Sequence, residues 1–192
     1  MGIEVVNKII ESIYNSNKVA VLVHVNPDGD ALGSGLAMYI ALKQLKKEVD
    51  LIIPSYPKIY EFLPQINEIK TDTLIRNYDL CICLDCASRE RIYEPKNIFE
   101  NAKKTIVIDH HRRSTDFIEN ATLTFHEVYA SSACELVTEL IEYSENISLT
   151  TCYLNTTGDL LEDGFHSIDV TKKNQIISTI AQTIYKRWEE AL

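Results

Sequence analysis

Apolar residues at Ile3, Val6, Ile9, Ile10 and Ile13 recur every three or four positions, and this spacing predicts an amphipathic helix over residues 3–14. The next apolar stretch, residues 19–23, is β-rich and has no polar alternation, which predicts a strand buried on both faces, as in a parallel sheet. Helical spacing returns over residues 31–46 through Leu32, Leu36, Ile40 and Leu45, and residues 49–53 supply a second strand. Further strands are predicted at 80–84 and 105–108, and helices at 57–68 and 132–143. After Thr171 the pattern predicts one more helix over 173–191, with Ile176, Ile177, Ile180 and Ile184 on one face. Strands alternating with helices imply an α/β fold, doubly wound around a mainly parallel β-sheet with helices on both faces. Ligands of such sheets bind beyond the carboxyl ends of the strands, so the residues after each apolar run are the ones that matter.

Composition narrows the class. At 192 residues and 45% hydrophobic content the chain can bury a full core, and one domain with a short appendage is the expected organisation. The formal charge of −9 argues against a clamp for long duplex nucleic acid, whose surfaces are usually basic. A small anionic substrate remains compatible with an acidic chain, because bound cations reverse the local sign. The five cysteines, Cys81, Cys83, Cys86, Cys134 and Cys152, are an odd number, and four fall in segments read as buried strand or helix. That usage fits reduced, intracellular thiols. Cys83 and Cys86 form one CxxC without a second, so they read as buried thiols rather than a zinc site. No stretch approaches a bilayer-spanning length and the amino terminus lacks a signal-peptide core, so the expected location is cytoplasmic.

The chemistry gathers at three strand ends. The first buried strand runs into His24-Val25-Asn26-Pro27-Asp28-Gly29-Asp30, one imidazole and two carboxylates within seven residues. On its own, Asn-Pro-Asp-Gly-Asp is equally a turn. The strand at 80–84 ends at Asp85, however, and the strand at 105–108 ends at Asp109-His110-His111. Three neighbouring parallel strands delivering acids and imidazoles to one crevice would repel one another unless cations sat between them. Oxygen and nitrogen ligands without thiolate favour Mn²⁺ or Mg²⁺ ahead of zinc. The carboxylates are too many for one ion, so two ions sharing an acid is the expected arrangement.

With those residues in view, HVNPDGD, LDCASRER and above all IDHHRRS resemble the successive motifs of the DHH phosphoesterase superfamily, named for the triplet at Asp109-His110-His111. The resemblance covers nearly the whole chain and implies a Rossmann-like DHH domain. Within the superfamily, YEFLPQINEI and SSACELVTELI are similar to stretches of bacterial proteins that degrade very short RNA and dephosphorylate 3′-phosphoadenosine 5′-phosphate. The resemblance implies that His24 and Asp28 hold one cation, that Asp30 and His110 hold the other, and that Asp85 bridges both. It places His111 beside the substrate phosphate, and Asp109 as an acid that orients an imidazole. Arg112 and Arg113 are further candidates for contact with phosphate. Catalysis is thus expected from Asp85, His111 and Asp109, through attack of a hydroxide shared by two manganese ions on phosphorus.

Two departures limit the likeness. The family's fourth motif, commonly Thr-Asp-Thr-Gly, corresponds here to residues 153–165, where matching Thr157-Gly158 and Gly164 places Glu162 at the aspartate's position. Asp159 and Asp163 compete with it for that role. The smaller substrate-binding domain of this branch, with its glycine- and histidine-rich signature, has no counterpart after Thr171. The expected division is a catalytic domain over residues 1–171 and a helix over 172–192 that leads toward such a domain. Expected substrates are short oligonucleotides, dinucleotides or 3′-phosphonucleotides. The alternatives are a pyrophosphatase or exopolyphosphatase of the same superfamily and a non-catalytic nucleotide-binding domain. The family likeness and the apolar face of the last helix lean toward a homodimer.

Overall fold

Strand β1 (Lys18–Leu22) forms the hub of a five-stranded sheet, pairing with β2 (Glu48–Ile52) on one side and β3 (Leu80–Leu84) on the other. Strands β4 (Lys104–Asp109) and β5 (Leu123–His126) extend the sheet, giving the order β2-β1-β3-β4-β5 with every pair parallel. The computed structural model describes residues 3–147 except 74, 76, 93–96, 114 and 145.

Side chains alternate across a strand, so each buried strand feeds two cores. Val19, Val21, Leu51, Ile82, Ile106 and Ile108 face a layer formed by helices α1 (Ile3–Tyr14), α2 (Gly29–Gln44) and α4 (Ala133–Glu142). The predicted periodicity of α1 holds at Val6, Ile9 and Ile13, which are buried together with Ser12, whereas Ile10 is partly covered and Ile3 is exposed. Ala20, Leu22, Ile52, Cys81, Cys83 and Val107 face the other way. There the cover is the one-turn helix α3 (Ile98–Asn101), with Ile98 and Phe99 buried, and the segments that bring in Tyr78, Ile92 and Ile118. Both faces are therefore sealed, one by long helices and one by shorter pieces.

Besides the one-turn helix α3, which the apolar spacing does not predict, the structure departs from the sequence pattern in two places. The helix expected over 57–68 is instead a pair of single 3₁₀ turns, Lys58–Tyr60 and Ile66–Glu68. Pro64 has no N–H to continue a helix, and Gln65 follows it in the left-handed region at φ 60°, so the chain turns where the apolar spacing would have run on. Strand β5 is the other, four residues long and only half covered, which is too short for a two-residue period to stand out. The helix expected over 173–191 lies outside the described residues. Cys81, Cys83, Cys86 and Cys134 are free thiols, as expected. No helix among the described residues is long and apolar enough to cross a membrane.

The buried carboxylate of β2 is paired. Asp50, in the middle of β2, accepts from the Tyr78 hydroxyl at 2.7 Å and from Thr73 Oγ1, and it forms an ion pair with Lys70. Burial alone would raise the Asp50 pKa, but the bonds from Lys70, Thr73 and Tyr78 outweigh it and hold the carboxyl below its usual range.

Candidate functional site

Strands β1, β3 and β4 lie side by side, and one or two residues beyond each of the first two, and from the end of the third, come His24, Asp85 and Asp109-His110-His111. The expected convergence is present. Asp85 sits at its centre, 1% exposed, with its N–H donating to the Ile108 carbonyl at 2.9 Å. Its φ of 56° is left-handed, a region that aspartate tolerates better than most residues, and the chain turns sharply there.

The imidazoles are oriented by backbone carbonyls. His24 Nδ1 lies 2.8 Å from the Val25 carbonyl oxygen, which can only accept, so the proton belongs on Nδ1. The other ring nitrogen of His24 then faces Asp85 Oδ2 at 3.5 Å and Asp28 Oδ1 at 4.0 Å. His110 repeats the device: Nδ1 points at the Ala130 carbonyl at 3.3 Å, leaving Nε2 3.4 Å from Asp30 Oδ2 and 3.5 Å from Asp85 Oδ1. A carbonyl fixing one ring nitrogen so that the other is free to ligate is how metal-binding histidines are commonly held. The Asp85 carboxylate facing its ring raises the pKa of His24, against the opposing effect of burial.

The carboxylates are held just as firmly. Asp28 caps α2, its Oδ1 accepting from the N–H groups of Asp30 and Ala31 at 3.0 and 3.1 Å. Asp30 accepts from the first two N–H groups of α4, Ala133 at 2.7 Å and Cys134 at 2.9 Å, so the end of one helix grips an acid from the start of another. Ser132 Oγ caps α4 by accepting from the Glu135 N–H at 3.0 Å. The sequence signals this helix start through Ser132 and Glu135, but not that its free amides meet Asp30.

Asp109 is buried and accepts from His111 Nδ1 at 2.8 Å, while the His111 carbonyl accepts from His126 Nε2 at 2.6 Å. Burial would lower the His111 pKa, but the Asp109 bond and charge outweigh it and raise it. His111 Nδ1 also lies 3.5 Å from Asp85 Oδ1. The guanidinium of Arg113 stacks over the Phe117 ring at 4.4 Å, and Arg112 is exposed. Glu162, Asp159, Asp163 and Cys152 lie outside the described residues.

The donor set fits divalent cations. Both carboxylate oxygens of Asp85 are buried and accept no hydrogen bond. Burial raises the Asp85 pKa, and the charges of Asp30 and Asp28 add to the rise. A buried carboxylate without donors costs several kcal/mol by order of magnitude unless a positive charge lies beside it. Two groups of potential ligands meet within 4.8 Å, His24-Asp28-Asp85 and Asp85-His110-His111, and Asp85 is common to both. Asp30 joins the second through its contact with His110.

This geometry and the sequence comparisons agree on a class: residues 18–161 match the DHH family, N-terminal domain, and the chain belongs to that family. It is 33% identical over 147 residues to the cyclic-di-AMP phosphodiesterase GdpP of Geobacillus thermodenitrificans, a match covering 69% of this chain and 22% of that protein. It is 24% identical over 137 residues to the bifunctional oligoribonuclease and PAP phosphatase NrnA of Mycoplasma genitalium, covering 70% of this chain and 42% of that one. The match thus spans less than half the length of these curated relatives. Among solved structures, an exopolyphosphatase-related protein from Bacteroides fragilis superposes with a TM-score of 0.73 at 26% identity, covering 97% of this chain and 60% of that one.

Proposed function

We propose that this chain is the catalytic domain of a phosphoesterase that works with two divalent cations, manganese foremost and magnesium next, and cleaves the ester bond of a short oligonucleotide, a dinucleotide or a 3′-phosphonucleotide. One observation carries the reading: the Asp85 carboxylate, buried and without a hydrogen-bond donor, lies between His24 and Asp28 on one side and His110 and His111 on the other. In this reading His24 and Asp28 hold one cation, Asp30 and His110 the other, and Asp85 both, with Glu162 a further ligand contributed from beyond the described residues. Cations bound there supply the Lewis acidity that makes water nucleophilic near neutral pH and offset charge on the phosphate.

The protein's own groups do the rest. Val25 and Ala130 carbonyls fix the His24 and His110 rings, and the α4 amides fix Asp30, so the ligand atoms need little reorganisation before reaction. His111, half exposed and held by Asp109, is placed to donate a proton or a hydrogen bond to a phosphate oxygen. The acid–imidazole pair keeps that ring oriented.

Support for a nucleotide substrate comes from the relatives, named for cyclic-di-AMP and for oligoribonucleotide and PAP cleavage. The exopolyphosphatase-related neighbour supports a second reading, hydrolysis of a phosphoanhydride. Incubating the protein with manganese and a panel of dinucleotides, cyclic dinucleotides, 3′-phosphoadenosine 5′-phosphate, pyrophosphate and polyphosphate separates the two. Release of nucleoside monophosphate or adenosine phosphate supports the first, and turnover confined to pyrophosphate or polyphosphate the second. Manganese and nucleotide binding without product from any substrate would mark a non-catalytic domain. We further propose that residues 1–171 form the catalytic domain, that residues 172–192 lead toward a substrate-binding domain, and that the protein is a cytoplasmic homodimer.

A further inference from the structure

The segment after Asp85 is strapped across the site at both ends. On one side Ile118 N–H donates to the Ala87 carbonyl at 2.8 Å, Arg89 N–H donates to the Asp116 carbonyl at 3.2 Å, and Ser88 bridges to Phe117. On the other, Val25 N–H donates to the Arg91 carbonyl at 2.8 Å and His24 bridges to Ile92 in antiparallel fashion. The strap therefore runs from the stretch that follows the DHH triplet to the loop that carries His24, with Asp85 at its root.

Two arginines lie on this strap, and they differ in what holds them. Arg89 donates to Glu100 at 2.8 Å. Arg91 is exposed, and no carboxylate among the described residues pairs with it. Its main chain is bonded to Val25, and its neighbour Ile92 bridges to His24, whose ring faces Asp85 Oδ2 at 3.5 Å. Arg91 therefore stands, exposed, beside the loop that brings His24 to the crevice. Acids gathered in that crevice could have captured the guanidinium, yet they are occupied by the α2 and α4 amides or face the imidazoles. Of the arginines near the triplet, Arg113 is committed to the Phe117 ring.

We propose that Arg91 is a substrate-binding residue whose guanidinium engages non-bridging oxygens of the phosphate brought to the Asp85 crevice. The assignment rests on the phosphoesterase reading above. A guanidinium is always charged and presents paired N–H donors in a fork that matches two phosphate oxygens, which an ammonium cannot reproduce. Its place on a doubly anchored strap limits how far it strays from the site.

The test uses the full chain loaded with manganese, with inorganic phosphate as the calorimetric probe and a linear diadenosine dinucleotide as the kinetic one. Arg91→Gln is expected to weaken phosphate binding by about ten- to a hundredfold, the worth of a lost charge-assisted hydrogen bond. It is also expected to raise KM, while manganese stoichiometry and affinity stay at the wild-type values. Arg91→Lys recovers part of the loss. Wild-type phosphate affinity in Arg91→Gln, in a protein that still turns over the dinucleotide, overturns the assignment alone. A parallel fall in manganese affinity also overturns it, showing that Arg91 acts through His24. A wild-type protein that neither binds phosphate nor cleaves any member of the substrate panel removes the phosphoesterase reading and this assignment together.

Discussion

A Cβ placed on Gly33 would lie 3.0 Å from the sulfur of Cys134, so helices α2 and α4 meet at a position where a methyl group fits only if the Cys134 side chain gives way. That contact lies one turn beyond Asp30, and Cys134 is also the residue whose N–H donates to the Asp30 carboxylate. Close helix packing and acid placement are thus the same event. Gly33→Ala is expected to push α4 back, stretch the two amide bonds to Asp30 and destabilise the fold by about 1–3 kcal/mol, the usual cost of overpacking. Adding Cys134→Ala removes the obstructing sulfur and should restore manganese affinity as well as stability. Isothermal titration with manganese beside urea unfolding checks this; a double variant no better than Gly33→Ala would sink the coupling.

Asp85 is best probed with two substitutions, because its backbone is left-handed. Asparagine tolerates that conformation and alanine does not, so Asp85→Asn isolates the charge while Asp85→Ala adds strain. Both should abolish manganese-stimulated hydrolysis. In metal-free protein Asp85→Asn is expected to be no less stable than wild type, since it removes a buried carboxylate that accepts no hydrogen bond. Differential scanning calorimetry in a chelator makes the comparison.

Manganese itself should stabilise the folded state, because the assembled ligand set exists only there. At about a hundred times Kd the linkage is worth about 2.7 kcal/mol. For a domain of this size that raises Tm by several degrees, about 2–4 °C for each kcal/mol. The shift should vanish in Asp85→Asn, and a shift of equal size in that variant would argue against Asp85 as a shared ligand.

Asp109 touches His111 rather than the crevice, so its loss should impair turnover more than ion retention. Asp109→Asn is expected to lower kcat by about ten- to a hundredfold, as removal of groups that orient site residues commonly does. Metal content measured after gel filtration should remain that of the wild type.

Acid should weaken the fold through Asp50. Its folded pKa is depressed, so its contribution is present above the unfolded value of about 3.9 and is lost as pH falls through the lower folded value. At pH 7, Asp50→Asn is expected to cost about 1–3 kcal/mol by weakening the contacts with Lys70, Thr73 and Tyr78. The gap to wild type should narrow steadily below about pH 4. Urea melts at pH 7, 4 and 3 measure it, and a gap independent of pH would show that packing rather than charge is responsible.

By itself the sequence determined the parallel α/β frame, because uninterrupted apolar runs such as Val19-Ala20-Val21-Leu22-Val23 have no stable place except a strand covered on both faces. It also determined which residues stand at the carboxyl ends of β1, β3 and β4, and so which acids and imidazoles were candidates. Only the tertiary structure decided how they meet: that Asp85 accepts no hydrogen bond, that the α4 amides grip Asp30, and that Arg91 stands on a strap over the crevice while Arg113 rests on Phe117. Strand character is a local consequence of apolar spacing. A grip between Asp30 and Cys134 joins residues 104 positions apart and depends on helix packing that no local pattern records.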